Sequence, residues 1–368
     1  MQTICHITSV HNRYDPRILK KECVSLAKLS YNVVLIVSNG LPDENYKGVK
    51  IIDTGKFKNR FNRFIKSNFY MYRAILKVKP VSVHFHDPEL IPLGLFLRSL
   101  GYKVIYDIHE DYVTDIREKY YLNSLLKIIF SYFIRFAEFL SHRFLHTIIA
   151  ERYYSKRFAN STYILNYPNV SEIKISSVER TFQFKKLLYT GTLTEIRGGE
   201  LIANLLNYDD EMSITCIGSC SSKLAKKMYD VAGINRDRLT LIGVDEYIPF
   251  DKIIELYQKD DWLAGIAFFN SSINHDKKEL TKFFEYMAAG LPILATNFKV
   301  WKELIEENKV GYCFDTGNIP DIIKKINEMY SNKNECIRMS KLGIQLVNER
   351  YNWKSEEKKL ADLYSNLF

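Results

Sequence analysis

The sequence predicts an α/β fold built from two doubly wound, Rossmann-like domains. Three observations carry that prediction. The chain has 368 residues, more than one ordinary hydrophobic core organises. Short apolar runs alternate with amphipathic helical stretches along most of it, the pattern of a parallel sheet covered by helices on both faces. The alternation breaks once, at "YILNYPNV" (163–170), and then restarts. The predicted boundaries are therefore 1–167 for an N-terminal domain and 168–350 for a second, with 351–368 a last helix that packs back toward the first.

In the first half the strands are "TICHIT", "NVVLIV", "VSVHF", "KVIYD" and "HTIIA". Between them lie amphipathic stretches at 17–29, 62–78, 89–99 and 122–141. In the second half the strands are "KKLLYTG", "SITCIG", "RLTLIG", "WLAGIAFF", "LPILAT" and "GYCF". No internal repeat is visible. The end, "YNWKSEEKKLADLYSNLF", reads as an amphipathic helix anchored by Trp353. Two such domains place the carboxyl ends of both sheets around a central cleft. Ligands of doubly wound sheets bind at those ends, at topological switch points and helix N-termini.

Composition narrows the classes. Hydrophobic residues make up 46% of the chain and mean hydropathy is −0.19, which fits a globular protein. No run approaches the ~20 apolar residues of a membrane-spanning helix. "MQTICHITSVHNRYDPR" reads as a first strand and not as a signal peptide, so an intracellular, cytoplasmic location is expected. The six cysteines are scattered without a CxxC pair, which predicts free thiols in a reducing compartment. Cys216 and Cys220 flank a Gly-Ser turn, but no His or second Cys pair accompanies them to hold zinc.

The net charge of +9 is uneven. Residues 1–165 carry 25 Lys and Arg against 14 Asp and Glu, a net +11, while the remainder is at −2. The basic half is expected to meet something anionic. Residues 56–79 hold eight Lys and Arg, no acid, and many Phe and Tyr. That mixture suits an anionic membrane surface, and equally a solvated helix whose aromatics pack on its own sheet. Nucleic acid is the weaker fit. The stretch "LLKIIFSYFIRFAEFL" (125–140) is more apolar than a two-sided helix requires and adds to the membrane reading.

Two stretches stand out chemically. "LLYTGTLTEIRGG" (187–199) runs from an apolar strand through Gly191 and Arg197 to two glycines that open a helix. Glycines, free helix N–H groups and an arginine make an anion cradle, though the same pattern also serves an ordinary strand-to-helix turn. In "KKELTKFFEYMAAGLPILA" (277–295), Lys282 and Glu285 are three apart and share a helix face. Thr281 is the expected N-cap, and Gly290 and Pro292 end the helix. Taken alone, the Lys/Glu pair reads equally as a surface ion pair worth ~0.3–0.5 kcal/mol. His84, His86, Asp87 and His109 follow strands in the first half. A His-x-His-Asp run suits a metal, but no further histidine cluster accompanies it.

"KFFEYMAAGLPILATNF" resembles the donor-site signature of GT-B glycosyltransferases, in particular the large family 4 group of retaining enzymes. "HNRYDPRILKKECVSLAK", "VHFHDPELIPLG" and "YDIHED" resemble the N-terminal halves of its polysaccharide-type members, and "LYTGTLTEIRGG" its phosphate loop. The motifs stand in family order across almost the whole chain. The resemblance implies a GT-B fold and transfer of a sugar from a UDP- or GDP-type donor to a glycan or lipid-linked acceptor. It implies cell-surface polysaccharide synthesis, with retention, at the membrane's inner face or in the cytoplasm. It implies no cofactor and no metal.

Residue by residue, the resemblance assigns Glu285 to the donor's ribose hydroxyls, and Arg197 and Lys282 to its diphosphate. Gly191 allows close approach of substrate, and Gly218 and Val244 lie where the nucleobase lodges. His109 matches the histidine that faces the donor sugar, although its residue context alone favours a helix-initiating or structural histidine. Asp15 and Arg17 follow the first strand on the acceptor side. His86 and Asp87 either line the cleft there or fix a loop. No nucleophile and acid pair of a retaining hydrolase is visible, and the family's chemistry lets the leaving phosphate take the acceptor's proton. One departure is plain. The family's first donor-site glutamate falls at Lys277, and Glu279 is too close in sequence to replace it simply. Alternative readings are a GT-B-shaped nucleotide-sugar epimerase or hydrolase, a metal-dependent hydrolase using His84, His86 and Asp87, and a nucleotide-binding protein without catalysis.

Overall fold

The computed structural model describes residues 1–57, 59–109, 111–118, 123–173, 180–259, 261–271 and 275–367. Lys58 of the basic stretch, Glu110 of "YDIHED" and Leu122 at the start of the fourth helical stretch lie outside them. The chain divides into two compact units: Met1–Asn166 with Trp353–Phe368, and Tyr167–Asn352.

The first unit opens with β1 (Thr3–Ile7). Asp15 then accepts from the Arg17 and Ile18 N–H groups at 2.8 and 2.9 Å, and Pro16 supplies the preset φ of a first helical turn. Pro16–Cys23 winds as a π-helix and tightens into α1 (Val24–Lys28). There follow β2 (Asn32–Val37), β3 (Glu44–Tyr46), β4 (Val49–Asp53) and α2 (Arg60–Val78). Then come β5 (Ser82–Phe85), α3 (Ile91–Ser99), β6 (Lys103–Ile108), α4 (Tyr112–Glu118), α5 (Ser124–Phe144), β7 (His146–Ile149) and β8 (Thr162–Tyr163). The sheet order is β3-β4-β2-β1-β5-β6-β7-β8, parallel except for β3 against β4. That β3–β4 hairpin is absent from the sequence expectation. Its strands are short and charged, and its signal is the turn at Lys47 and Gly48, where φ is +47° and +85°.

The second unit holds β9 (Lys186–Thr190), α6 (Gly199–Asn204), β10 (Ser213–Cys220), α7 (Ser222–Ala232), β11 (Leu239–Val244) and α8 (Phe250–Tyr257). It continues with β12 (Ala264–Ala267), α9 (Thr281–Ala288), β13 (Ile293–Thr296), α10 (Lys299–Ile305), β14 (Gly311–Phe314), α11 (Ile319–Ser331) and α12 (Lys333–Glu349). All its strands run parallel in the order β11-β10-β9-β12-β13-β14, so the order reverses between β9 and β12. In the first sheet the equivalent reversal lies between β1 and β5.

The last helix, α13 (Trp353–Leu367), belongs to the first unit. Trp353 Nε1 donates to Ser25 Oγ at 2.9 Å, and Leu360, Tyr364 and Leu367 enter the core against Ile4, Ile18 and Leu26. Burying Leu360 alone contributes ~1.5–3 kcal/mol. The opposite sheet face is covered by α2 and α3 through Met71, Ile75, Leu93 and Leu97. One helix does not follow this economy of burial. On α5, Ile128, Phe133, Phe136 and Phe139 are each more than half exposed.

Candidate active site

In the second unit β9, β10 and β11 end in backbone that only glycine tolerates. Gly191 follows β9 with φ +94° and donates to Ile217 O at 2.8 Å. Gly218, in β10, has φ +141°, and a Cβ there would collide with Gly191 O. Gly243 in turn lies against Gly218 O. The ends of β9, β10 and β11 are thus packed backbone to backbone, with half-buried Val244 at the edge. The loop after Gly191 is held by Arg197, whose guanidinium donates to Thr192 O at 2.9 Å and lies 5.9 Å from the Phe269 ring centroid.

Helix α9 meets this edge. It starts at Thr281, so the cap position falls to Leu280, which makes no side-chain cap bond. The expected Thr281 cap is therefore corrected: the threonine is already the first helical residue. Gly290, with φ +64°, ends the helix as expected. Tyr286 pins it in place. Its hydroxyl accepts from Thr190 N at 3.1 Å and reaches Leu188 O and Ile266 O at 3.2 Å each, so it spans β9 and β12. Gly265 makes room for that ring, since a Cβ there would meet it at 2.5 Å.

Lys282 and Glu285 share one half-buried face of α9, as their spacing predicts. Glu285 Oε2 accepts from the Tyr257 hydroxyl at 2.8 Å, and that hydroxyl also lies 2.9 Å from Thr190 Oγ1. Lys282 is not a surface ion pair. Its Nζ is shut off from solvent and meets no hydrogen-bond acceptor. It stands 3.7 Å from the Tyr189 ring centroid and 5.2 Å from that of Phe269. A Cβ on Gly191 would lie 3.9 Å from it. Burial, then the neighbouring Arg197, push its pKa well below the usual lysine value, against the pull of Glu285. Lys277, in the departing position, is exposed at the end of a short turn. Tyr189, Tyr257, Phe269 and Tyr286 were not singled out from the sequence, because a tyrosine or phenylalanine in an apolar strand or helix reads as core.

In the first unit, the sequence candidates gather at the carboxyl edge of the sheet. Asp87 fixes the loop after β1: its Oδ2 accepts from Thr8 Oγ1 at 2.9 Å and Ser9 N at 2.6 Å, and its Oδ1 lies 3.3 Å from His11 Nε2. Asp15 caps the π-helix and lies 3.6 Å from His11 Nδ1. Burial opposes its ionisation, yet the His11 ring and the Ile18 N–H hold it below the usual carboxylate range. Arg17 is turned into the unit. Its Nε and Nη2 each donate to Asp107 at 2.8 Å, and Nε lies 3.1 Å from Glu22 Oε1. His86 is fully buried, with Nδ1 3.2 Å from Asp107 Oδ2.

His109 follows β6 and stacks on His11 at 4.8 Å. Its Nε2 has no hydrogen-bond partner and lies 3.9 Å from Asp107. Burial lowers its pKa to about 3, opposed by Asp107 and aided by His11 and His86. Among the described residues, two groups have metal-ligand spacing: His6, Glu22, His84 and His86, and His86, Asp107 and His109. The hydrolase reading built on His84, His86 and Asp87 does not fit this geometry. Asp87 is engaged with the loop at Thr8 and Ser9, and His84, His86 and Asp87 are all fully buried, with no face for a substrate.

Comparison with known proteins agrees with this architecture. Residues 242–346 match the family model "Glycosyl transferases group 1". Spore coat protein SA of Bacillus subtilis (strain 168) is 23% identical over 191 residues, 49% of this chain and 48% of that protein. The chain spans about half the length or less of the curated relatives it matches. Among solved structures, sucrose-phosphate synthase from Thermosynechococcus elongatus superposes with a TM-score of 0.77 at 14% identity, covering 100% of this chain and 99% of that one. Anabaena Alr3699/HepE in complex with UDP-glucose gives 0.72 at 11% identity, with all of both chains covered. Residues 242–346 of the second unit are therefore similar to the glycosyl transferases group 1 domain, and the chain has the GT-B fold.

Proposed function

We propose that the chain transfers a sugar from a nucleoside diphosphate sugar to a glycan or lipid-linked acceptor. One observation carries this reading: Lys282 Nζ is occluded without an acceptor, beside Gly191 at the switch point of a doubly wound sheet. Burial disfavours its ammonium form despite the pull of Glu285, so the site lacks a close negative charge. A diphosphate laid over Gly191 supplies that charge. The solved neighbour Alr3699/HepE holds UDP-glucose, which supports a uridine or similar donor here.

In this reading Glu285, held by Tyr257, takes the ribose hydroxyls, and Gly218 and Val244 border the base. Lys282 and Arg197 stabilise the charge that grows on the leaving diphosphate. Those fixed cations do the work a divalent metal does elsewhere, so the transfer step needs none. Retention follows if the leaving phosphate takes the acceptor's proton on the same face. Asp15, Arg17, His86 and Asp87 act as positioning residues for the His11 loop and for His109. The exposed apolar face of α5, flanked by exposed Arg135 and Arg143, suits the headgroup region of an anionic membrane and a lipid-linked acceptor in polysaccharide assembly. No helix among the described residues is long and apolar enough to cross a membrane.

The test is a thermal-shift screen of UDP- and GDP-sugars on the full chain, followed by transfer assays with the donor that binds. A bound donor raises the melting temperature with its affinity. A chain that no nucleotide sugar, UDP or GDP stabilises overturns the reading.

A further inference from the structure

Four side chains of the first unit converge in its interior and share His86 with the group around His109. Strands β1 and β5 pair with His6 opposite His84, and His86 lies two residues further along the same face. The π-helix brings Glu22 over them. All four are fully buried. His6 Nδ1 lies 3.1 Å from His86 Nε2, and Glu22 Oε2 lies 3.9 Å from both His6 Nδ1 and His84 Nε2. Neither oxygen of Glu22 has a hydrogen-bond partner, and His84 Nε2 has none.

The outer ring nitrogens are each taken. Tyr364 Oη, from α13, lies 3.0 Å from His84 Nδ1 and 3.3 Å from His6 Nε2, and it can accept from both. Asp107 Oδ2 accepts from His86 Nδ1 at 3.2 Å. When Tyr364 accepts from both rings, the lone pairs of His6 Nδ1, His84 Nε2 and His86 Nε2 face one another and Glu22. Lone pairs so close repel unless a proton or a metal cation stands between them. Charge points the same way. Two buried carboxyl groups, Glu22 and Asp107, share the single Arg17 guanidinium at 3.1 and 2.8 Å, so a second cation would complete the pairing in this closed interior.

We propose that His6, His84, His86 and Glu22 form a tetrahedral zinc site inside the first unit. Bonds of about 2.0–2.1 Å to nitrogen and oxygen give ligand–ligand edges of roughly 3.3 Å, within the spread seen here. Three imidazoles and a carboxylate are a donor set that zinc accepts. Tyr364 and Asp107 hold the rings in the ligating tautomer, the usual arrangement around ligating histidines. With four protein ligands and no open position, the ion is structural. It ties β1, β5 and the π-helix together and, through Tyr364, α13. The site stands in the first unit and does not depend on the donor reading of the second.

The full untagged chain, purified from zinc-supplemented medium, is expected to carry one equivalent of zinc by elemental analysis. Cobalt-grown protein should show the intense visible bands of a tetrahedral site. Glu22→Gln should abolish both. Tyr364→Phe keeps the ring and its packing and should weaken zinc affinity about 10- to 100-fold, as loss of an outer partner does. Its folding is checked by circular dichroism, so that a collapse of Glu22→Gln leaves the test intact. Absence of stoichiometric zinc and cobalt overturns the proposal and leaves a proton shared between Glu22 and the rings as the occupant. Stoichiometric metal that Tyr364→Phe binds as tightly as the parent overturns it as well.

Discussion

Lys282 Nζ stands 3.7 Å from the centroid of the Tyr189 ring and meets no acceptor. A cation–π contact returns roughly 2 kcal/mol when desolvated, less than a buried charge loses. Burial, then Arg197, lower the folded pKa of Lys282. Unfolded lysine holds its proton up to pH ~10.4. Between the two values the unfolded state binds more protons, so this group's contribution to stability rises with pH across that window. Lys282→Met should remove that dependence and melt higher than the parent at neutral pH. Diphosphate binding should raise the pKa again and draw in a proton. Calorimetry of UDP binding in two buffers of different ionisation enthalpy reads the proton directly. Identical heats in both would count against the diphosphate at Lys282.

Glu285 and Tyr257 act as a pair. Glu285→Gln should weaken nucleotide binding by roughly 1.5–3 kcal/mol, the worth of a hydrogen bond to a charged group. Tyr257→Phe leaves the carboxylate but frees its orientation, so it should weaken binding less, by about 1 kcal/mol. Lys282→Ala should lower kcat more than donor affinity, since the charge it offsets grows in the transition state. Lys277→Ala should change neither. Affinity and turnover of the folded variants decide this. A Lys277→Ala variant more damaged than Glu285→Gln would show that α9 is misplaced on the donor.

Metal at the donor is a separate matter from zinc in the first unit. With Lys282 and Arg197 as fixed cations, added Mg2+ should leave UDP affinity within about twofold. A tenfold gain, about 1.4 kcal/mol, would mean that a metal bridges the diphosphate.

Much of this was legible in sequence, and the reasons differ by element. The parallel strands were visible because doubly covered strands are continuous apolar runs, as in "NVVLIV". The π-helix at Pro16–Cys23 was not, because apolar spacing alone does not separate it from α-helix. The Lys282–Glu285 spacing was visible as a shared face. Its surroundings were not: Tyr189, Tyr257 and Phe269 arrive from other elements, 93, 25 and 13 residues before Lys282 in the chain. The same holds for His6 and Glu22. Each reads as an isolated residue until the β1–β5 register brings His6 opposite His84.

His109 should stay neutral at working pH. Its pKa of about 3 means that the unfolded histidine takes a proton near pH 6.5 while the folded one does not. Between those values the group contributes stability that rises with pH and is lost as pH falls. His11, His86, Asp107 and Arg17 all face it, and the proximity of Asp107 does not overcome burial. Its imidazole NMR signals should therefore not move between about pH 5 and 8. A midpoint near the ordinary histidine value would mean that water reaches the ring.

The membrane reading turns on α5. Phe133 and Phe136 are 61% and 60% exposed, so replacing them leaves the core untouched. Inserted at a headgroup boundary, each would bury most of a phenylalanine side chain, worth ~1.5–3 kcal/mol. Lys66, Arg73 and Lys77 are exposed on α2, and Arg135 and Arg143 on α5. Basic residues near an anionic surface add ~1 kcal/mol each, and salt screens that term but not the apolar one. Flotation with anionic liposomes should therefore fall partly as salt rises and should nearly vanish for the Phe133→Asp, Phe136→Asp double variant. That variant should keep the parent's melting temperature and its UDP affinity. Equal recovery with neutral and anionic lipid, or a double variant that floats like the parent, would leave α5 without a role at the membrane.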